Sequence, residues 1–94
     1  MFIGKRQRKK RERKMMRIDK YLKVSRLIKR RTLANEACDK GRVFINGRIA
    51  KPGHEVNEGD IIEFRIGQNP VRVKVIDVKQ HTRKEEAEQM YQIL

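Results

Sequence analysis

From residue 43 to residue 75 the apolar side chains follow a two-residue period, in short runs cut by turn residues. Ile62, Phe64 and Ile66 alternate with Glu63 and Arg65, and Val71, Val73 and Val75 alternate with Arg72 and Lys74. Side chains alternate across a strand, so this pattern describes strands buried on one face. Val43-Phe44-Ile45 and Arg48-Ile49-Ala50 flank Asn46-Gly47. That dipeptide is the strongest short hairpin signal, because a two-residue turn of the favoured hand needs positive φ at both positions. Lys51-Pro52-Gly53 breaks the second strand, and Asn57-Glu58-Gly59-Asp60 and Gly67-Gln68-Asn69-Pro70 are further turns. The connections are too short for crossovers, so the sheet is antiparallel, with about four strands.

The flanking segments read as helices. Ile18, Tyr21, Leu22 and Ser25 share one helical face at i, i+3, i+4 and i+7. Thr32 is the candidate N-cap of a second short helix with Leu33, Ala34, Ala37 and Cys38 inward, and Gly41 stands where a C′ residue needs positive φ. Thr82 and Glu85 have the spacing of a capping box. Ala87, Met90, Tyr91 and Leu94 then mark one face of a terminal helix. The expected fold is α+β: two N-terminal helices packed on the small antiparallel sheet, with a C-terminal helix. A chain of 94 residues holds one such domain, placed here at residues 16–94.

Charge then narrows the function. Lysine and arginine number 25 against 12 acidic residues, a net charge of +13. Residues 1–15 hold eight basic side chains against Glu12 and little that is apolar, which describes a disordered basic arm. Met15 and Met16 leave a second reading open, in which residues 1–15 are an extension upstream of the natural start. Residues 16–94 hold 17 basic groups against 11 acidic ones, so the domain itself is basic. Such an excess suits a nucleic acid, an anionic membrane or an acidic protein. No apolar run approaches the roughly 18 residues of a membrane span. The N-terminus does not read as a secretory signal, and the lone Cys38 fits a reducing cytoplasm.

Five fragments, in order, carry a family resemblance. They are Arg17-x-Asp19-Lys20-x-Leu22; Lys29-Arg30-Arg31-Thr32-x-Ala34; Gly41-x-Val43-x-Ile45-Asn46-Gly47; Lys51-Pro52; and Val56-x-x-Gly59-Asp60. Together they resemble the RNA-binding domain named after ribosomal protein S-four, over about residues 16–66. Residues 17–34, and the ending Lys84-Glu85-Glu86-Ala87-x-x-Met90-Tyr91-x-Ile93-Leu94, are similar to a stand-alone branch of that family in bacterial ribosome quality control. The basic residues 1–15 depart from that pattern. The resemblance implies a cytoplasmic factor on a large ribosomal subunit obstructed by peptidyl-tRNA, touching rRNA and tRNA. It also implies a role in adding a C-terminal alanine tail to the stalled chain, with a partner that delivers alanyl-tRNA. A monomer is expected.

The residues themselves support a narrower statement. Basic groups on one helical face match the phosphates of folded RNA. Arginine can grip a phosphate with two hydrogen bonds, so Arg17, Arg26, Arg30 and Arg31 are the first candidates. Lys20, Lys23, Lys29 and Lys51 add field and salt dependence. Asp19 is expected to orient Arg17 or Arg31 by an ion pair. Of the aromatics Tyr21, Phe44 and Phe64, two are patterned as core, so base stacking is not the main expected mode and specificity should come from RNA shape. Asn46-Gly47 reads as turn chemistry, and Met90 and Tyr91 as packing.

Catalysis is not expected. His54 and His81 are isolated, Cys38 has no histidine near it in sequence, and no glycine-rich loop cradles a nucleotide, so neither metal nor cofactor is anticipated. Two rivals stand beside the quality control reading. One is the heat-shock ribosome-recycling branch of the same family, which usually has a longer basic C-terminal extension than a chain ending at Leu94 offers. The other is a general basic interaction module, including a polybasic arm on acidic lipid.

Overall fold

The computed structural model describes residues 16–66 and 68–94. The anticipated basic arm, residues 1–15, lies outside them. The chain opens with a short strand β1 (Met16–Arg17), followed by α1 (Ile18–Val24) and α2 (Arg31–Asp39). Then come β2 (Val43–Ile45), β3 (Arg48–Ile49), β4 (Glu55–Val56), β5 (Ile61–Ile66) and β6 (Asn69–Val75). The end is a one-turn helix α3 (Lys84–Ala87), a 3-10 turn (Glu88–Met90) and β7 (Tyr91–Ile93). The class is α+β, as the sequence implied.

Five strands form an antiparallel sheet in the order β3-β2-β5-β6-β7, and β1 pairs separately with β4. The Asn46-Gly47 turn takes φ of 51° and 85°, both left-handed as its type requires. Asn46 does more than turn. Its Oδ1 accepts the Ile61 amide at 2.9 Å and its Nδ2 donates to Asp60 Oδ1 at 3.1 Å, so one side chain ties the hairpin tip to the start of β5.

The two faces of this sheet differ. Val43, Ile45, Ile62, Phe64, Val73 and Val75 point to one side and are buried there with Ile18, Tyr21 and Leu22 of α1 and Ala34 and Cys38 of α2. Phe44, Glu63 and Arg72, cross-strand neighbours, occupy the other face with Ile49, which stands opposite Phe44. The apolar stripe of α1 holds as read, Ser25 included, and that residue's hydroxyl donates to Leu22 O at 3.3 Å.

Four local expectations are corrected. The second helix starts at Arg31, with Arg30 extended at its N-cap and no side-chain cap bond, so Thr32 lies inside the first turn. Leu33 is 48% exposed rather than inward, because Ala34 and Cys38 fill the core side of a helix this short. The last segment is not a continuous helix. Ala87 and Met90 are buried as expected, but Tyr91 is already extended and residues 91–93 pair with β6 through Val75↔Tyr91, Lys74↔Gln92 and Val73↔Ile93. The open edge of β6 supplies ladder partners to residues with good strand propensity, and this tertiary pairing overrides the helical period. The cap also shifts by one residue. Glu86, not Glu85, accepts the amide of Arg83 at 3.4 Å, while Thr82 donates its hydroxyl to Val24 O at 2.8 Å and so ties the last segment to α1. Tyr21 adds a second tie, donating to Met90 O at 2.7 Å, and burial pushes its phenol well above the ordinary range.

Candidate nucleic-acid interface

The site is built where α1 and α2 begin. The β1–β4 ladder and the bonds from Ile18 N to His54 O (2.7 Å) and Asp19 N to Pro52 O (3.3 Å) fix the start of α1 over the Lys51-Pro52-Gly53 turn. That clamp turns the Asp19 side chain into the seam between the helices, where it is 2% exposed. Arg17 donates from Nε to Asp19 Oδ1 at 3.3 Å and from Nη2 to Oδ2 at 3.2 Å. Arg31 reaches Oδ1 from α2 at 3.4 Å, and Asn35 Nδ2 donates to Oδ2 at 3.3 Å. The two guanidinium groups stay about half exposed, at 53% and 47%.

A buried carboxylate holding two half-exposed arginines is an orienting device. Burial alone would raise the Asp19 pKa. The Asn35 amide and the Arg17 and Arg31 guanidinium groups outweigh that, and the carboxyl sits below its ordinary value. Each guanidinium has five N–H donors and spends only part of them on Asp19. Both arginines, with Thr32 and Glu36, line a shallow recess of about 510 Å³. Fixed, divergent donors of this kind fit phosphate oxygens in two-bond geometry. Asp19 itself faces inward, so its part is to position Arg17 and Arg31.

The other sequence candidates fall elsewhere. Lys20 is partly buried, and its Nζ donates to Gln80 Oε1 at 2.6 Å, toward the C-terminal segment. Lys23 and Arg26 meet beside Gln80, His81 and Thr82 around a recess of about 110 Å³. Arg26 has φ of 64°, an uncommon left-handed residue just after α1. Lys29, Arg30 and Lys51 are exposed. Arg26 and Lys29 also rim a larger groove of about 530 Å³ floored by Leu27, Leu33 and Ala37. So the structure joins Arg17, Asp19 and Arg31 in one constellation and Lys23, Arg26 and Lys29 in a looser band.

Asn35 joins the constellation without being among the candidates the sequence pattern singles out. Its signal was available: it lies one helical turn after Arg31, and i, i+4 residues are surface neighbours. Cys38 is buried, and burial, followed by the charges of Asp19 and Asp39, pushes its thiol up to about 11, far from an activated nucleophile. Among the described residues no cluster of three His, Cys, Asp or Glu could hold a metal ion, and no helix is long and apolar enough to cross a membrane.

Comparison with known proteins adds the family. Residues 16–62 match the S4 domain. Over 78 residues the chain is 55% identical to the RQC P-site tRNA stabilizing factor of Halalkalibacterium halodurans, covering 83% of this chain and 89% of that one. The factor of the same name from Bacillus subtilis is 57% identical over 79 residues, covering 84% and 92%. The chain belongs to this S4-domain family of RQC P-site tRNA stabilizing factors. A solved structure, that of the trimeric heat shock protein 15 of Vibrio cholerae, superposes with a TM-score of 0.80 at 32% identity, over 85% of this chain and 82% of that one. The Asp19 constellation lies wholly within the S4 match, and the family membership agrees with the resemblance read from residues 17–34.

Proposed function

We propose that the chain binds a large ribosomal subunit obstructed by peptidyl-tRNA, and that the α1–α2 face with Arg17 and Arg31 at its centre grips RNA there. The observation that carries this reading is the buried Asp19 carboxylate fixing both arginines outward. The relatives' shared name, a stabilizer of P-site tRNA in ribosome quality control, supports the particle and the tRNA contact. Arg26, Arg30, Lys23, Lys29 and Lys51 supply the surrounding field, and Lys20 contributes from the α1 flank. Phosphate contacts set position without reading bases, so the RNA is selected by shape. The chain works by binding in the cytoplasm, as a monomer. It supports C-terminal alanine tailing of the stalled chain alongside a partner that delivers alanyl-tRNA.

Co-sedimentation tests this. The full chain is expected to travel with large subunits bearing peptidyl-tRNA, and Arg17→Ala and Arg31→Ala to be left behind. Unchanged binding in both variants would refute the site. A second reading, ribosome recycling as in the heat-shock branch, draws support from the shared fold of the Vibrio protein. The higher identity to the quality control relatives favours the first. Alanine tailing in a reconstituted reaction separates the two, since only the first reading requires it. Removing residues 1–15 tests the general basic module: if ribosome binding vanishes with them, the arm and not the domain is the binder.

A further inference from the structure

The outer face of the sheet holds a feature that the α1–α2 site does not use. Of Tyr21, Phe44 and Phe64, Phe44 alone escapes the core: Tyr21 and Phe64 are 0% and 1% exposed, whereas Phe44 lies on the opposite face, only partly covered. It stands beside a recess of about 360 Å³ with Arg42, Arg65 and Gly41. The register explains the grouping. Val43 pairs with Phe64, so Arg42 and Arg65, one step outward on each strand, fall at the same level on the outer face. Two residues further along each strand are Phe44 and Glu63, with Arg72 opposite Glu63, and beyond them Ile61 and Lys74. Glu63 meets Arg72 at 3.9 Å, but among the described residues no acidic side chain pairs with Arg42 or Arg65.

Arg42 and Arg65 belong to two cavities at once. They also line the 530 Å³ groove with Arg26, Lys29 and Lys40, four further lining residues being apolar and one, Glu36, acidic. The groove beside α2 and the recess beside Phe44 therefore share Arg42 and Arg65, which join the basic groups of the one to the aromatic ring of the other. A solvated basic surface would account for the charges but not for a partly exposed aromatic among them. A backbone of regularly spaced phosphates ending in a flat base accounts for both, since bases stack on aromatic rings and on guanidinium planes.

We infer that Phe44, flanked by Arg42 and Arg65, is a stacking site for an unpaired RNA nucleotide, reached by a single strand that continues from the α1–α2 face. This rests on the reading of the α1–α2 face as RNA-binding and extends it to single-stranded RNA. It also modifies the expectation that stacking plays little part: shape positions the particle, and one base is held on the sheet.

The test uses the full chain and two probes, a blunt RNA hairpin and the same hairpin with an oligoadenylate extension at either end, one adenine replaced by 2-aminopurine. The extension is expected to tighten binding about tenfold, the order expected for one stacked base, and to quench the 2-aminopurine fluorescence. Phe44→Leu, which keeps an apolar cover on the sheet, and the exposed pair Arg42→Gln with Arg65→Gln are each expected to abolish that gain while binding the blunt hairpin like the unaltered chain. No gain from the extension, or a gain that survives both variants, overturns the inference. So does a Phe44→Leu chain that loses its ribosomal particle but keeps the gain, which would assign the surface to a protein. The two readings separate cleanly: if blunt-hairpin binding does not depend on Arg17 and Arg31, the helix-face reading falls, while the extension gain still decides this one.

Discussion

Arg17 and Arg31 on one side, and Lys23, Arg26 and Lys29 on the other, bring similar charge to the same end of the molecule, yet they are held very differently. The first two share a carboxylate that is 2% exposed and are fixed from different elements. The others stand exposed around the turn after α1, and no described carboxylate pairs with them. A fixed guanidinium loses little freedom when it meets a phosphate, whereas a free lysine must be ordered at the moment of binding. On the proposed reading, charge sets the attraction to RNA, while the buried acid underneath fixes the two groups that grip it.

The sharpest way to break this comparison is to remove the acid. Asp19→Ala strips both arginines of their anchor and leaves the Asn35 amide without its acceptor. It should cost about 2 kcal/mol in urea unfolding, from lost charged hydrogen bonds. It should also weaken RNA binding more than either arginine truncation does, although it removes a negative charge and a pure field account predicts tighter binding. Next in size, Arg17→Ala or Arg31→Ala should lower affinity for the blunt hairpin by about tenfold, in keeping with a charge-assisted two-bond contact. Lys29→Ala should weaken binding evenly across RNA sequences and reduce the slope of log K against log salt by roughly one.

Acid sharpens the comparison from another direction. The Asp19 carboxyl is depressed in the folded chain, so its contribution to stability is complete above the ordinary aspartate value near 3.9. It is lost as pH falls from there through the lowered folded value. Asp19→Asn should flatten that part of the pH dependence of the urea midpoint. The smallest effect belongs to a control far from the arginines. Thr82→Val removes the hydrogen bond to Val24 O and should cost about 1 kcal/mol in stability, with hairpin affinity unchanged.

Where local chemistry decides, the sequence was readable. Asn46-Gly47 had to be a turn because both positions need positive φ. The stripe Ile18, Tyr21, Leu22 and Ser25 is buried as its period implies, and the Asp19 pairing followed from placing a carboxylate between basic residues at the helix start. What was not readable depends on partners distant in sequence. Tyr91 and Ile93 have a helical period and become a strand only because β6 offers an open edge. Thr82 looks like a cap and instead bonds an α1 carbonyl 58 residues away. Phe44, Arg42 and Arg65 come together only through the β2–β5 register, which no local pattern encodes.

In the proposed function geometry, and not charge alone, makes the α1–α2 face a binding site. Arg31→Lys tests it most directly, because the net charge of +13 is kept while the planar fork held by Asp19 is lost. Affinity for large ribosomal subunits bearing peptidyl-tRNA should be measured for the unaltered chain, Arg31→Lys and Arg31→Ala at one salt concentration. The lysine variant is expected to fall close to the alanine variant. A lysine variant that binds as tightly as the unaltered chain would contradict it, and would leave the field as the whole of the recognition.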